Sequence, residues 1–461
     1  MVATSASSTP RNHTGIEGLD DILGGGLPAN RMYLVKGEPG VGKTTLALQF
    51  LMSGAKEGER VLYVTLSETE AEIRQVASSH GWSLDGLHMY ELSSAEQTLR
   101  LHEENTLYAP ADVELREVVR VLLDEVDRVK PSRVVFDSLS EIRMLAQAPM
   151  RYRRQLLSLK QHFAGRACTV LLLDDRTGED PDLQVESLVH GVVLLQQTPM
   201  GYGADRRRLR IAKLRGSPFR SGFHDYVVKT GGIDVFPRLI AAEHRTELLT
   251  EPLPSGNPHL DAMLGGGVAR STATLLMGPA GSGKSALTTQ FGCAAAARGE
   301  RVSMFLFEER IGTLRRRAQE LGMPLDREME RGAIRVHQID PAELAPDEFS
   351  HMVRAEVEKH DAKVIVIDSI NGYFTAMPEA RHLTLQLHEL LGFLAERGVA
   401  TLLTVAQTGL IGSAMSAPVD ISYLADTIVL LRYFEMDGRV RKALSVVKKR
   451  SGFHEDTIRA L

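Results

Sequence analysis

The 461-residue sequence has few cysteines, no long apolar run and no large excess of one charge. Its two cysteines, Cys168 and Cys293, lie among apolar neighbours in different halves of the chain. This favours buried reduced thiols over a disulfide or a metal site. No run approaches the roughly 18 apolar residues of a membrane helix, and residues 1–14 lack the apolar segment of a signal peptide. We therefore expect a cytoplasmic protein without a membrane segment.

Acidic and basic residues nearly balance. Lysine and arginine number 54, aspartate and glutamate number 59, and the formal net charge is −5. This argues against a surface that mainly covers nucleic acid or an anionic membrane, although a local basic groove remains compatible with it. Apolar residues make up 43% and charged residues 25%, as in folded globular proteins. At about 150 residues per domain, the length favours two or three domains.

The two halves of the chain repeat the same motifs in the same order. An LGGG turn begins at Leu23 and again at Leu264, and a GxxxxGK[ST] segment begins at Gly37 and again at Gly278. Both repeats have the same offset of 241 residues. A unit of this length holds a full set of helices and strands, so the chain is a duplicated domain and not a short-period solenoid.

The repeat predicts the domain organisation and the fold class. We expect an N-terminal tail at 1–14, a first domain at 15–240, a linker at 241–254 and a second domain at 255–461. In each domain, short apolar runs such as MYLVKG and RVLYVTLS alternate with longer helical patterns. This alternation is typical of an α/β fold with a mostly parallel sheet covered by helices on both faces.

Each glycine-rich segment follows a predicted strand and opens a predicted helix. In that context, backbone N–H groups and the helix N-terminus hold phosphate. We expect Lys43 and Lys284 to reach the β- and γ-phosphates of ATP, and the hydroxyls of Thr44 and Ser285 to ligate Mg²⁺. The residues predicted to line the two nucleotide sites are Gly37, Glu38, Pro39, Gly40, Val41, Gly42, Lys43, Thr44 and Thr45, and Gly278, Pro279, Ala280, Gly281, Ser282, Gly283, Lys284, Ser285 and Ala286.

An aspartate ends an apolar run in each half, Asp137 in RVVFDS and Asp368 in KVIVIDS. The carboxyl edge of a parallel sheet is where such folds bind their ligands. Both aspartates are therefore predicted as metal-binding Walker B residues, with helix capping as the alternative.

Hydrolysis also needs a carboxylate that orients or deprotonates the attacking water. After the next strand, the second half has Glu308 and Glu309, whereas the first half has Ser67 and Glu68. Because Ser67 stands in the place of Glu308, the first site must rely on Glu68 or hydrolyse slowly. The alternative is that these glutamates are simply polar residues at the solvent-exposed end of a strand.

Together, these motifs resemble the KaiC family of RecA-superfamily ATPases. The resemblance extends from about Gly15 to about Ile458 and includes the LGGG turns, the P-loops, the SET and FEE segments, FDS and IDS, and the KLRG and KKRS segments. It implies two tandem RecA-like P-loop NTPase domains in a homo-oligomeric, hexameric two-tiered ring with ATP between neighbouring subunits. It also implies ATP hydrolysis in the first domain and, in circadian members, serine/threonine autokinase activity in the second.

The resemblance also implies a role in trans for four cations, Lys213, Arg215, Lys448 and Arg450. They would reach the γ-phosphate of a neighbouring subunit, where a cation stabilises transition-state charge. From the residues alone, a K-x-R pattern on a strand is equally typical of a solvated strand face.

The phosphoacceptor pair of the family, Ser followed by Thr, falls on Ser422 and Tyr423. The threonine is lost, so an ordered two-site cycle is not expected, while modification of Ser422 alone stays open. A serine near a strand start is also explained without any kinase. The sequence ends at Leu461, before the longer C-terminal segment of clock members. We expect a role outside the complete cyanobacterial oscillator.

The leading hypothesis is a Mg²⁺-dependent ATPase ring that acts in signalling or clock-like regulation. One alternative is a scaffold whose nucleotide state gates the docking of an unknown signalling protein. Another is a DNA-repair ATPase whose arginine clusters, at 151–154, 206–208 and 315–317, line a DNA channel. Ion-paired faces or subunit contacts explain these clusters better, so nucleic acid is not favoured.

Overall fold

Near-continuous apolar runs form the strands of two large sheets, one in each half of the chain. The computed structural model describes residues 10–92, 110–175, 183–241, 251–375, 380–407 and 421–461. The chain divides into two units, Met1–Arg238 and Leu239–Leu461. Within the described residues, no helix has the length and apolar character needed to span a membrane, and both cysteines are buried and unpaired.

The first unit alternates strands and helices. Its described elements are β1 (Arg11–Asn12), α1 (Glu17–Ile22), β2 (Leu27–Pro28), β3 (Met32–Gly37), α2 (Lys43–Lys56), β4 (Val61–Thr65), α3 (Glu70–Ser79), β5 (His88–Glu91), α4 (Pro110–Val129), β6 (Arg133–Asp137), α5 (Leu139–Ala146), α6 (Pro149–Phe163), β7 (Thr169–Asp175), α7 (Leu183–Leu188), β8 (Gly191–Thr198), β9 (Arg206–Leu214), β10 (His224–Lys229) and β11 (Gly232–Phe236).

The second unit repeats this alternation. Its described elements are β12 (Pro252–Leu253), α8 (Pro258–Met263), β13 (Val268–Ala269), β14 (Ala273–Gly278), α9 (Lys284–Ala297), β15 (Arg301–Leu306), α10 (Ile311–Glu320), α11 (Leu325–Glu330), β16 (Ile334–Gln338), α12 (Pro346–Glu358), β17 (Ala362–Asp368), α13 (Ile370–Thr375), α14 (Ala380–Glu396), β18 (Ala400–Ala406), β19 (Thr427–Met436), β20 (Arg439–Lys449) and β21 (Arg459–Ala460).

The two large sheets share the order of eight strands, and the first sheet has a ninth, β11. From corresponding edges, the first runs β5-β4-β6-β7-β3-β8-β9-β10-β11, and the second runs β16-β15-β17-β18-β14-β19-β20-β21. Strands β8, β3, β7, β6, β4 and β5 are parallel, while β9, β10 and β11 continue the sheet in antiparallel fashion. The second sheet has the same parallel part, and β20 and β21 are antiparallel. The strand that precedes each glycine-rich loop lies inside its sheet.

Helices cover both faces of each sheet. Along β3, Tyr33 and Val35 pack in a core with the residues of α1, α2 and α3, whereas Met32 and Leu34 pack in a core with α4, α5 and α6. Alternate strand residues point to opposite faces, so both faces are buried. Two cores likewise enclose the second sheet. The predicted α/β fold, two tandem RecA-like domains, is confirmed.

The unit boundary lies close to the predicted linker at 241–254. Leu239 packs in the core of the second unit, and β12 pairs with β13. Residues 242–250 of the linker and 1–9 of the N-terminal tail lie outside the described residues.

A buried arginine holds the helix after the first glycine-rich loop against β6. Arg133 is fully buried, and its guanidinium donates to the Phe50 carbonyl (3.0 Å) and pairs with Glu59 (2.7 Å). A Cβ atom on Gly54 would lie 2.6 Å from Arg133 Nε, so α2 needs glycine there. This contact fixes the distance between the two elements that carry the phosphate loop and Asp137.

A buried histidine makes the stability of the first unit depend on pH. His224 Nδ1 accepts a hydrogen bond from the Arg238 N–H (2.9 Å), which leaves Nε2–H to donate to the Arg220 carbonyl (3.2 Å). Burial is the main cause that lowers the pKa of His224 from 6.5 to about 4. The unfolded chain therefore binds the proton more readily, and the stability present above pH 6.5 is lost as the pH falls towards 4.

We expect this histidine to remove about 3 kcal/mol of unfolding free energy between pH 7 and pH 4. Urea unfolding followed by Trp82 fluorescence measures it, because Trp82 is the single tryptophan and packs in the first unit. His224→Gln is the control, since its amide can accept and donate but does not titrate. Parallel stability curves for wild type and His224→Gln would contradict the assignment.

Candidate functional site

The first glycine-rich loop connects the carboxyl end of β3 to the start of α2. Gly40 and Gly42 have φ values of 83° and 98°, in the left-handed region that glycine adopts readily. A Cβ atom on Gly37 would lie 2.7 Å from the Leu195 carbonyl oxygen. The glycines of the motif are therefore required by the path of the backbone, which brings the loop to the N-terminus of α2, a position that favours an anion.

The second loop has the same construction between β14 and α9. Gly281 and Gly283 have φ values of 74° and 113°, and a Cβ atom on Gly278 would lie 2.5 Å from the Leu431 carbonyl oxygen. Both predicted phosphate loops thus have the strand-loop-helix context that phosphate binding needs.

The two loop lysines lie across the loops that precede them. Lys43 Nζ donates to the carbonyls of Gly37 (2.9 Å) and Glu38 (2.8 Å), and Lys284 Nζ donates to the two corresponding carbonyls, both at 2.8 Å. Their exposed fractions are 7% and 8%. The carbonyls hold each ammonium group inside its loop.

Asp137 lies at the carboxyl end of β6 beside the first loop. Its Oδ2 accepts hydrogen bonds from Thr44 Oγ1 (2.9 Å) and from the hydroxyl of Tyr63. Burial raises the pKa of Asp137, and the two hydrogen bonds and Lys43 oppose that rise. A hydroxyl next to a carboxylate fits Mg²⁺, which takes few protein ligands when phosphates supply others.

Asp368 occupies the same place at the end of β17. Its Oδ1 accepts from Thr404 Oγ1 (2.5 Å), and Ser285 lies in the first turn of α9. The peptide bond after each aspartate, Asp137–Ser138 and Asp368–Ser369, is cis. Over the described part of the chain, there is no group of three or more histidine, cysteine or acidic residues suited to a metal. A metal at either aspartate would therefore depend on the nucleotide for further ligands.

The two glutamates of the second unit have different surroundings. Glu308 Oε1 accepts a hydrogen bond from Ser369 Oγ (2.8 Å), so its carboxylate lies beside the end of β17. The Glu309 carboxylate pairs with Arg317 of α10. Burial lowers the pKa of Lys284, and the charges of Asp368 and Glu308 oppose this. Glu308 is thus the glutamate whose charge acts on the phosphate loop.

In the first unit, Ser67 and Glu68 are both exposed. Thr69 caps α3, accepting from the Glu72 N–H while the Glu72 side chain accepts from the Thr69 N–H. This capping box fixes the turn that carries Glu68. Although its side chain is exposed, partial shielding of the Glu68 carboxyl group from water raises its pKa, and the charge of Asp137 adds to this rise. Glu68 is therefore close enough to the first site to feel its charge.

A candidate site residue that motif reasoning missed is Asp175, the last residue of β7. Its Oδ1 lies 2.7 Å from Lys43 Nζ, and its Oδ2 accepts from the hydroxyls of Ser138 (3.4 Å) and Ser140 (3.3 Å). The signal was available, because LLLDD ends an apolar run in acidic residues just as RVVFD does.

Lys213 and Arg215 lie at the end of the first sheet where β3 begins, whereas the phosphate loop lies at the end where β3 stops. Strand β9 ends at Leu214, which pairs with Gly191 of β8. Gly191 in turn pairs with Tyr33 at the start of β3, so Leu214 lies at the level of Tyr33. Four residues of strand, roughly 13 Å, separate that level from Gly37. These cations therefore do not reach the phosphate loop of their own unit.

Contacts hold the same cations near α7. Lys213 Nζ donates to the carbonyls of Glu186 (2.5 Å) and Val189 (2.8 Å), and Arg215 donates to the Ser187 carbonyl (3.0 Å). Burial lowers the pKa of Lys213, with Arg215 contributing.

The second unit repeats this arrangement around the candidate phosphosite. Lys448 Nζ donates to the carbonyls of Ser422 (2.9 Å) and Ala425 (2.7 Å), and Arg450 donates to the Tyr423 carbonyl (2.9 Å). Lys448 and Arg450 lie level with the start of β19, at the end of the sheet opposite Gly278. Ser422 thus lies with the cations and away from the phosphate loop of its own unit.

Several members of the arginine clusters form ion pairs. Arg208 lies 3.5 Å from Asp225, and Arg315 lies 2.6 Å from Asp326. These pairs favour ion-paired surfaces over a DNA channel at those positions.

Comparison with known proteins identifies relatives of both units. A family model described as "ATPase: KaiC" matches residues 12–240 and 253–459. The circadian clock oscillator protein KaiC of Parathermosynechococcus lividus is 28% identical over 98% of this chain and 83% of its own length. The corresponding protein of Synechococcus elongatus is 29% identical over 97% and 86%, respectively. The circadian clock protein KaiC3 of Synechocystis sp. is 26% identical over 100% of this chain and 91% of its own length.

Proposed function

The chain belongs to the KaiC family of ATPases, and we propose on that basis that it hydrolyses Mg²⁺-ATP between neighbouring copies of itself. The observation that carries this proposal is the separation of the phosphate loops from the cations within each unit. A loop and a pair of cations at opposite ends of one sheet do not meet within a unit, and we propose that they meet between neighbouring copies. Head-to-tail contacts form a ring when the rotation between copies closes, and we propose such a ring, with six subunits in two tiers as in the family.

The phosphate loops would bind the triphosphate through the backbone N–H groups ahead of α2 and α9. Lys43 and Lys284 would turn their ammonium groups to the β- and γ-phosphates. Thr44 with Asp137, and Ser285 with Asp368, would hold Mg²⁺, which when bound neutralises charge on the phosphates.

Hydrolysis needs a group that orients or deprotonates water. In the second unit we assign this role to Glu308, since Glu309 is paired with Arg317. In the first unit Glu68 is the glutamate near the site, because Ser67 has no carboxylate. Arg215 and Arg450, with Lys213 and Lys448 beside them, would stabilise the charge that develops on the γ-phosphoryl group of the neighbouring copy.

Phosphorylation of Ser422 is a second candidate activity. Ser422 lies beside Lys448 and Arg450, so whatever brings these cations to the γ-phosphate of a neighbour also brings the serine close to it. The Ser422 hydroxyl oxygen would bond to the γ-phosphorus as ADP leaves, and its proton would pass to Glu308 of the copy that holds the nucleotide. Incubation with γ-labelled ATP and mapping of the label test this step, and label absent from Ser422 would exclude it.

The relatives named as clock proteins support a regulatory role. We propose that ATP state controls the docking of a protein partner in the cytoplasm. A partner that binds equally well with ATP and with ADP would contradict this role.

Lysine substitutions test nucleotide binding at each unit. Wild type should bind two ATP molecules per chain. Lys43→Ala and Lys284→Ala should each bind one, and the double variant should bind none, because each substitution removes the cation that contacts the β- and γ-phosphates. Equilibrium dialysis with labelled ATP and Mg²⁺ measures the stoichiometry, and phosphate release measures turnover. Full binding by the double variant would refute the proposed function.

A further inference from the structure

We propose that Asp175 sets the nucleotide affinity of the first site by competing with the phosphates for the ammonium group of Lys43. This rests on the proposed function of the first unit as a nucleotide site. It makes Asp175 an affinity-determining residue of that unit.

Two carbonyls and the Asp175 carboxylate hold the Lys43 ammonium group, so a phosphate must compete with Asp175 for it. A lysine ammonium group has three N–H donors. The Gly37 and Glu38 carbonyls accept two of them, and Asp175 Oδ1 lies 2.7 Å from Nζ as an ion-pair partner. The Lys43 side chain is 7% exposed and that of Asp175 is 28% exposed, so water screens this pair less than a surface pair.

The second oxygen of Asp175 is also held. Oδ2 accepts from the hydroxyls of Ser138 and Ser140, at 3.4 Å and 3.3 Å. The carboxylate is thus bound by an ammonium group and two hydroxyls, donors that suit a terminal phosphate equally well. An arriving triphosphate must take Lys43 from Asp175 and leave a carboxylate beside the new negative charge, and both effects weaken binding.

The second unit provides an internal comparison without the competitor. In the parallel pairing of β3 with β7, Gly37 lies opposite Asp175, and in that of β14 with β18, Gly278 lies opposite Ala406. Among the described residues, the hydrogen-bond partners of Lys284 Nζ are two carbonyls, and no acidic side chain pairs with it. The second site should therefore bind nucleotide more tightly than the first.

The test measures nucleotide binding at the first site alone, in full-length protein that carries Lys284→Ala. Trp82 is suited as a donor of energy transfer to methylanthraniloyl-ATP, because its ring lies 4.7 Å from that of His80, and His80 Nε2 lies 3.4 Å from Thr45 Oγ1 in α2. Asp175→Asn, which keeps the shape and removes the charge, should lower Kd about tenfold, and Asp175→Ala should act similarly. Asp175→Glu keeps the charge and should remain within about threefold of the parent.

The reciprocal change tests the second site. In a Lys43→Ala background, Ala406→Asp should raise Kd for the same nucleotide about tenfold, measured by its fluorescence anisotropy. Urea unfolding of every variant, followed by Trp82 fluorescence, separates binding from stability, since a looser fold would not tighten binding.

The outcomes distinguish this inference from the proposed function. If Asp175→Asn leaves Kd unchanged or raises it, while Lys43→Ala abolishes binding, the competition is refuted and the nucleotide site stands. If the Lys284→Ala parent binds no nucleotide at the first site, the proposed function of that unit fails instead.

Discussion

Arg215→Ala should lower ATP turnover at the first site by about 10³-fold or more, the loss typical when a cation delivered in trans is removed. The reason is geometric, because Arg215 lies at the end of the sheet opposite Gly37, from which it would complete the site of another copy in the proposed assembly. Phosphate release from protein that also carries Lys284→Ala measures the first site alone. ATP binding should change much less than turnover, since the loop and Lys43 remain.

Mixing separates an effect in trans from a local one. A copy with Arg215→Ala keeps its phosphate loop, and a copy with Lys43→Ala keeps its cations, so a mixture should regain activity at one kind of contact. Arg210→Ala is the matched control, because Arg210 is exposed on the same strand and packs over Phe223. A mixture no more active than its separate components would rule out the role in trans.

Glu308→Gln should reduce hydrolysis at the second site by about 10²- to 10⁴-fold, the usual contribution of a group that moves a proton. Glutamine keeps the length of the side chain and an oxygen that accepts from Ser369, but it is not a base at neutral pH. Nucleotide affinity should therefore stay within about threefold of the parent. Single-turnover hydrolysis in a Lys43→Ala background isolates this site.

Glu309→Gln is the matched control for the neighbouring carboxylate. Its pairing with Arg317 predicts a small loss of stability and a hydrolysis rate within about tenfold of the parent. If Glu309→Gln slows hydrolysis more than Glu308→Gln does, the two assignments must be exchanged.

Local patterns predicted the parts of the site that depend on adjacent residues. The glycine spacing fixes the loop conformation, and an acidic residue after an apolar run ends a parallel strand, so both loops and both aspartates could be located from the sequence. The doubled motifs also gave the α/β fold, because each half contains the same alternation of strands and helices.

The remaining features depend on contacts between distant segments. Asp175 reaches Lys43 only because β7 lies between β3 and β6, and strand order is not written in a single motif. The distinction between Glu308 and Glu309 depends on where α10 places Arg317. Lys213 and Arg215 lie at the end of the sheet opposite the loop because β9 is antiparallel. The sequence of β9 does not reveal this direction, since polar and apolar residues are nearly equal in number along it.

The placement of the phosphate loop and the cations at opposite ends of each sheet also determines how a defective copy would behave in a mixed population. In the proposed ring, a subunit that lacks only Arg215 would inactivate the pocket of one neighbour and keep its own, so turnover would fall in proportion to the fraction of defective copies. A subunit that lacks both Lys43 and Arg215 would inactivate two pockets, and turnover would follow the square of the fraction of intact copies. The effect of one defective copy would therefore reach one neighbour, in one direction around the ring.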